Sequence, residues 1–344
     1  MDVKHKTLPA AYLCIAVTTI FFSLMEVVMK SVSGDFHPMQ FTFSRFFVGG
    51  LILIPFALQA VKKKKAADPD FAITGRDLAY LAFLGFLGMV VSMSFYQASI
   101  GAIPASVTAV LFSSNPVFVT LFAYLILKEK ITRYHVIALV FDVIGIVCII
   151  NPFNTKLSVS GVVICLIATF MFALYSVLGK GRCQKFGGIV VTCFTFLFGS
   201  LELLVLLLLT NVPAIAELLT GIGLGNFANI PIISGYAPAN IAQALFVYIG
   251  VTGVGFACYF IAMERTSAGT ASLVFFFKPM LAPVFAFLFL AEAIPGNMIL
   301  GIGLILVGAL SSILPGMIRG RREKKAALAA VPASAVPAAQ KETK

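Results

Sequence analysis

Apolar residues run along this chain in long blocks, and each block ends in a short cluster of turn formers or charges. A helix needs about 20 mostly apolar residues to cross a bilayer. Ten blocks meet that length: 10–31, 39–61, 78–98, 104–127, 134–151, 159–180, 188–210, 240–262, 268–290 and 296–315. The breaks between them are poor hydrocarbon residues or turn formers: Ser33-Gly34-Asp35, the lysine run 62–65, Lys128-Glu129-Lys130 and Asn151-Pro152. The pattern predicts an all-α integral membrane protein of ten transmembrane helices.

The blocks repeat. Residues 96–131, shifted by 163 positions, lie on 259–294 without a gap, with ten identical pairs. Tyr96/Tyr259, Ala105/Ala268, Phe112/Phe275, Pro116/Pro279 and Glu129/Glu292 are among them. A weaker echo matches Thr19, Phe22, Leu24, Val27 and Lys30 to Thr169, Phe172, Leu174, Val177 and Lys180 at offset 150. Five helices per copy is an odd number, so the second copy enters the membrane from the opposite side. That predicts inverted repeats around a shared site, as in many carriers. The copies span 10–151 and 159–316, with an outer loop at 211–239, a short cytoplasmic N-terminus at 1–9 and a basic tail at 317–344 expected to be disordered. The outer loop holds no basic residue and is expected to pack on the surface or to cover the outer mouth.

Composition sharpens the reading. Of the 344 residues, 60% are hydrophobic and 11% charged, with mean hydropathy +1.02. A soluble domain carries about 25% charged residues. The net charge of +11 does not point to nucleic acid, because its sources sit in short loops and the tail. With a cytoplasmic N-terminus, twenty-one Lys and Arg fall on inside segments and only Lys156 on an outside one. This is the positive-inside bias, with both termini cytoplasmic and a bacterial inner membrane as the expected location. The apolar run after Lys4 and Lys6 is too long for a signal-peptide core, so it is read as a first helix that stays. The six cysteines and three histidines show no metal or redox spacing, and Gly179-Lys180-Gly181 lacks phosphate-loop spacing. No cofactor and no metal are expected.

Several motifs resemble a known group. Arg45-Phe46-Phe47 followed by Gly-Gly-Leu-Ile-Leu looks like the start of the second helix in EamA-type carriers. The stretch from Tyr96 through Ser106, Pro116-Val117-Phe118 and Lys128-Glu129-Lys130 looks like that group's third-to-fourth helix signature, with a second copy through Ala268, Pro279, Pro283 and Glu292. The resemblance is to the drug/metabolite transporter superfamily and covers about residues 10–316. It implies a central cavity and secondary transport of small metabolites, often as efflux. Lys278 departs from the acidic or neutral residue that many such proteins carry before the second-copy proline.

A charge in hydrocarbon needs a partner, a wet cavity or a function. Lys278 lies near the expected midplane of the ninth helix, and Asn115 is its repeat equivalent. Both precede prolines (Pro116, Pro279; Pro283 follows one turn on), which free backbone carbonyls and are read as helix kinks. Lys278 either contacts substrate or pairs internally with Asp142 or Glu202. Phe112 and Phe275 supply aromatic walls, and Tyr96 and Tyr259 are substrate contacts or interface anchors. Glu26 and Arg45 sit at similar depth on the first two helices, so they form a structural ion pair or one that breaks on opening. Asp142 and Glu202 are candidate carriers of a coupling proton, with Asp142 also read as structural or at a dimer face. Lys30, at the outer end of its helix, is read as structural. The expected partners are membrane lipid and a small-molecule substrate, whose class stays open between an amino acid, another carboxylate or phosphate solute, and an amphipathic drug. A coupling proton and a homodimer stay open too. An integral-membrane enzyme would need a nucleophile, a metal cluster or an acid–base pair near one interface, and the sequence offers none. A channel or scaffold is the other alternative.

Overall fold

The computed structural model describes residues 3–128, 133–150, 158–266, 268–271, 273–308 and 310–311. Among these residues every regular element is helical. The main helices are α1 (Val3–Ser31), α2 (Pro38–Ala67), α3 (Gly75–Ala102), α4 (Ala105–Leu127), α5 (Arg133–Ile150), α6 (Val159–Phe186), α7 (Gly188–Thr210), α8 (Ile241–Arg265), α9 (Val274–Leu290) and α10 (Gly296–Gly308). Seven helices are long and apolar enough to cross a membrane, and Val136–Ile149, Phe277–Leu290 and Gly296–Gly308 are shorter apolar stretches. Leu13, Phe56, Phe86, Leu125, Val205 and Phe289 stand exposed on the outside. Apolar side chains outside and polar ones inside suit hydrocarbon as the solvent.

The helix ends differ from the sequence expectation where water can serve the backbone. The lysine run 62–65 does not break α2, which continues to Ala67. Cations in a last turn complement the helix dipole, and carbonyls there are free to bond water. The break after α1 does occur. Ser33 N–H bonds the Lys30 carbonyl, His37 caps α2 and Pro38 occupies its first turn, where its missing N–H costs nothing. Residues 3–9, read as an N-terminal tail, continue α1. The expected breaks at Glu129-Lys130 and Asn151-Pro152, and the expected tail at 317–344, lie outside the described residues.

α3 and α8 each carry a π-helical segment, Phe86–Met93 and Phe246–Gly255. Shifted by 163, the first overlaps the second. α4 and α9 each end on a left-handed residue, Lys128 at φ 55° and Ala291 at φ 53°, again 163 apart. In both, the cap N–H reaches back to an identical alanine, Ala123 in one and Ala286 in the other. The sequence repeat is thus matched by a repeat of local backbone irregularities.

Helices approach closely where glycines meet. A Cβ on Gly85 would lie 2.7 Å from the Gly199 nitrogen, so α3 and α7 touch backbone to backbone there. At the end of the bundle where α3 begins and α6 ends, Arg182 and Lys185 of α6 both bridge Asp77 of α3, at 3.0 and 2.8 Å. The outer loop docks on the α1–α2 turn. Gln40 donates to the Ser234 carbonyl at 2.8 Å, and Ile230 packs with Phe43, Val90, Leu203 and Leu207.

Candidate functional site

The centre of the bundle is an aromatic cluster drawn from both copies of the repeat. Phe22 of α1, Phe112 of α4, Phe172 of α6 and Tyr259 of α8 surround Phe275 of α9, with ring centroids 5.8–6.2 Å from it. These distances suit edge and tilted contacts. Into this cluster α9 projects Lys278. Its ammonium lies 5.0 Å from the Phe112 ring centroid, 5.5 Å from Tyr96 and 6.0 Å from Phe275. Such positions over ring faces stabilise a desolvated cation.

The charge is also paired. Lys278 forms an ion pair with Glu26 of α1, and both side chains are 0% exposed. Tyr96 of α3 donates its hydroxyl to the same Glu26 oxygen and accepts from the Lys278 ammonium at 3.2 Å. Tyr96 stands three residues beyond the π segment of α3. A π segment inserts extra backbone per turn and re-aims the side chains of the next turn, which is why such segments collect at functional sites. Glu26, Tyr96 and Lys278 thus form a closed triad held by three helices, two from the first copy and one from the second. The other Glu26 oxygen, Oε2, has no partner.

The expected pairings therefore change. Glu26 bonds Lys278, where depth along the helices had pointed to Arg45. Lys278 pairs with neither Asp142 nor Glu202. Axial counting places Glu26 about 7.5 Å and Lys278 about 18 Å from the C-terminal ends of their helices. Helix tilt and the reach of a lysine stem close that gap.

Arg45 is also fully buried. Its Nη1 points at two thioethers, Met29 Sδ at 3.2 Å and Met25 Sδ at 3.7 Å, while Nε and Nη2 have no partner. Asn115 starts the lower segment of α4, after a turn at Ser113 and Ser114 that interrupts the helix. Its Nδ2 donates to the Thr169 carbonyl at 3.4 Å and its Oδ1 is unpartnered. Pro116 stands in the first turn of that restarted segment, not inside a continuous helix as expected, because a residue without an N–H fits a helix start. Pro279 and Pro283 lie within α9, which runs through both. The ninth apolar block, read as one helix over 268–290, instead begins as a short turn at Ala268–Ala271 before α9.

Tyr259 lines the same aromatic cluster, and its hydroxyl donates to Ser176 at 3.4 Å. Asp142 is buried with both oxygens unpartnered, and Glu202 Oε2 is likewise unpartnered on α7. Neither joins the triad. Lys30 caps the C-terminal end of α3 through the carbonyls of Ile100, Gly101 and Ile103 at 2.8–3.2 Å. Sequence reasoning did not single out Met25 and Met29. Their spacing of four, on the helix that carries Glu26, was the available signal.

The family is decided by likeness to known proteins. The EamA-like transporter family matches this chain twice, over residues 9–151 and 159–314. The chain belongs to the EamA-like transporter family. A relative from Clostridium kluyveri, described as an uncharacterized transporter, is 38% identical over 307 residues, covering 87% of this chain and 91% of that one. Protein PecM of Dickeya dadantii is 28% identical over 240 residues, 69% of this chain and 73% of its own. A solved crystal structure of a protein superposes with a TM-score of 0.63 at 18% identity, covering 89% of this chain and 98% of that one, which speaks to the fold alone. Family and relatives together make this EamA member an integral membrane protein of transporter type.

Proposed function

We propose that this EamA-like protein is a secondary active carrier that exports a small organic solute by alternating access. Its ten apolar helices form two inverted five-helix repeats in a bacterial inner membrane, with both termini in the cytoplasm. The asymmetry of basic residues supports that orientation, and the recurring π segments and left-handed caps support the duplication. The observation that carries the reading is the Glu26–Tyr96–Lys278 triad, fully buried between helices of the two copies.

A charged cluster so deep in hydrocarbon is expensive and is kept where it works. Glu26 occupies the ammonium of Lys278 in this closed form. A proton on Glu26 would weaken that hold and free Lys278 for a solute carboxylate or phosphate, which is how a proton gradient would couple to flux. Rocking of the α3–α4 and α8–α9 hairpins against the rest would then expose the site to one side at a time. Asn115, Tyr259 and the rings of Phe112 and Phe275 would line the path.

The test is counterflow in proteoliposomes, with a labelled panel of amino acids, sugar phosphates, nucleotide-sugars and amphipathic drugs. Saturable exchange is expected for at least one class, which separates a carrier from a channel, a scaffold or an enzyme. Lys278→Ala should abolish that exchange while the protein still elutes as a folded species, and Glu26→Gln should blunt the response to a pH gradient. Normal flux in the lysine variant, or an unchanged gradient response in the glutamate one, overturns the respective role.

A further inference from the structure

Among the described residues, Arg45 is buried in this core with no anion in ion-pair reach, whereas Lys278 is paired. Lys278 has its carboxylate in Glu26. Arg45 is equally buried, yet its nearest acceptors are the sulfurs of Met25 and Met29, which are weak ones. A guanidinium cannot shed its proton to escape the cost of burial. The Phe46 ring, 4.6 Å from the guanidinium carbon, stabilises the charge in part, but a desolvated charge without a counter-ion remains costly. Glu26 attracts Arg45 through the core but makes no ion pair with it among the described residues.

Which atoms are free matters more than how many. Nη1 is the nitrogen committed to the thioethers. Nε and Nη2 are the unpartnered pair. These two N–H groups lie parallel along one edge of the planar group, the edge that accepts a carboxylate through two simultaneous hydrogen bonds. The methionines thus hold the fork from its far side and leave its bidentate edge without a hydrogen-bond partner among the described residues. Arg45 stands seven residues below the outer start of α2, about 10 Å along the axis, beneath the docked outer loop.

We infer that the Nε/Nη2 edge of Arg45 is a binding subsite for the carboxylate of a small solute, distinct from the Lys278–Glu26 pair. The inference rests on the carrier reading, since it adds to Lys278 a second contact for a solute carboxylate within the same core. Met25 and Met29 fix the plane of the guanidinium, and their flexible, polarizable thioethers adapt to what binds beside them. The site selects a planar two-oxygen anion by geometry. A lysine, a point charge without a fork, would not replace Arg45.

The experiment uses the purified full-length protein in detergent, with sodium benzoate as probe, benzamide as its neutral isostere and sodium chloride holding ionic strength constant. Benzoate should raise the unfolding temperature saturably, and benzamide should not. Arg45→Lys should weaken benzoate binding about tenfold or more, the worth of one charge-assisted hydrogen bond. If the Arg45 variants do not fold, the wild-type protein labelled with ¹⁵N-arginine gives the answer. Arg45 Nε–H is shielded from water exchange, and its proton resonance should move downfield with benzoate and stay still with benzamide. No benzoate effect, equal binding in Arg45→Lys, or a shift that chloride alone reproduces overturns the assignment. Counterflow keeps the two readings apart. Exchange without benzoate binding at Arg45 would leave the carrier standing and remove the subsite. Benzoate binding at Arg45 without exchange of any solute would do the reverse.

Discussion

Lys278 and Glu26 are each too costly to bury alone, and together they need Tyr96 to satisfy the shared oxygen. Removing one partner of a buried pair costs about 3–5 kcal/mol, whereas replacing both with apolar side chains of similar volume is often neutral. Lys278→Ala and Glu26→Leu should therefore each lower the unfolding free energy in detergent by about 3–5 kcal/mol. The double variant Glu26→Leu with Lys278→Met should recover most of that loss and remain inactive in counterflow. A double variant no more stable than the singles would show that the pair is not the unit the geometry describes. All three triad members were legible in the sequence as unusual polar residues within apolar blocks. Their partnership was not, because pairing depends on tilt and on which helices are neighbours, and hydropathy carries neither.

At the scale of elements, one of the duplicated glutamates acquires a physical role. Glu292, just beyond α9, accepts from the Ala105 and Ser106 N–H groups at 2.8 and 3.0 Å and from the Ser106 hydroxyl at 2.6 Å. It thus caps the N-terminus of α4, a helix of the other copy, where a carboxylate also complements the helix dipole. The left-handed Ala291 before it turns the chain so that this carboxylate points back to α4. Glu292→Ala should cost about 1–2 kcal/mol, and Glu292→Gln, which keeps one acceptor, clearly less. Thermal unfolding of the two variants side by side checks this. Equal loss in both would mean that charge, not capping, sets the effect. Its repeat partner Glu129 lies outside the described residues. The sequence showed that these glutamates recur, since identity at a fixed offset is visible in a string of letters. It could not show that one copy caps the other, nor that α3 and α8 contain π segments. An extra residue in a helical turn leaves no mark on an apolar block whose periodicity is already weak.

Over the whole molecule, the outer loop is tied to the bundle through His37, and that tie should depend on pH. His37 Nδ1 accepts from the Met39 N–H at 3.3 Å, and Nε2 lies 3.1 Å from the Asn226 carbonyl. These roles require the neutral ring with its proton on Nε2, because a protonated Nδ1 cannot accept. Burial pushes the His37 pKa below its ordinary value of 6.5, partly opposed by the Asn226 carbonyl, which favours the charged form. A depressed pKa means that the unfolded or undocked chain binds the proton more readily. The docking contribution is therefore fully present above 6.5 and is lost as pH falls through the lower, folded value. The Gln40–Ser234 bonds do not titrate and should keep the far end of the loop in place. Hydrogen exchange across 211–239 should thus accelerate near Asn226 between pH 7.5 and 5 while staying slow near Ser234. His37→Asn retains a capping side chain and removes the titration, so its exchange profile, corrected for the intrinsic pH dependence of exchange, should be flat over the same interval. Acceleration that persists in His37→Asn would move the pH sensitivity elsewhere and leave the loop as plain surface packing. Loosening confined to the Asn226 end would instead make this loop a cover that yields first at that end.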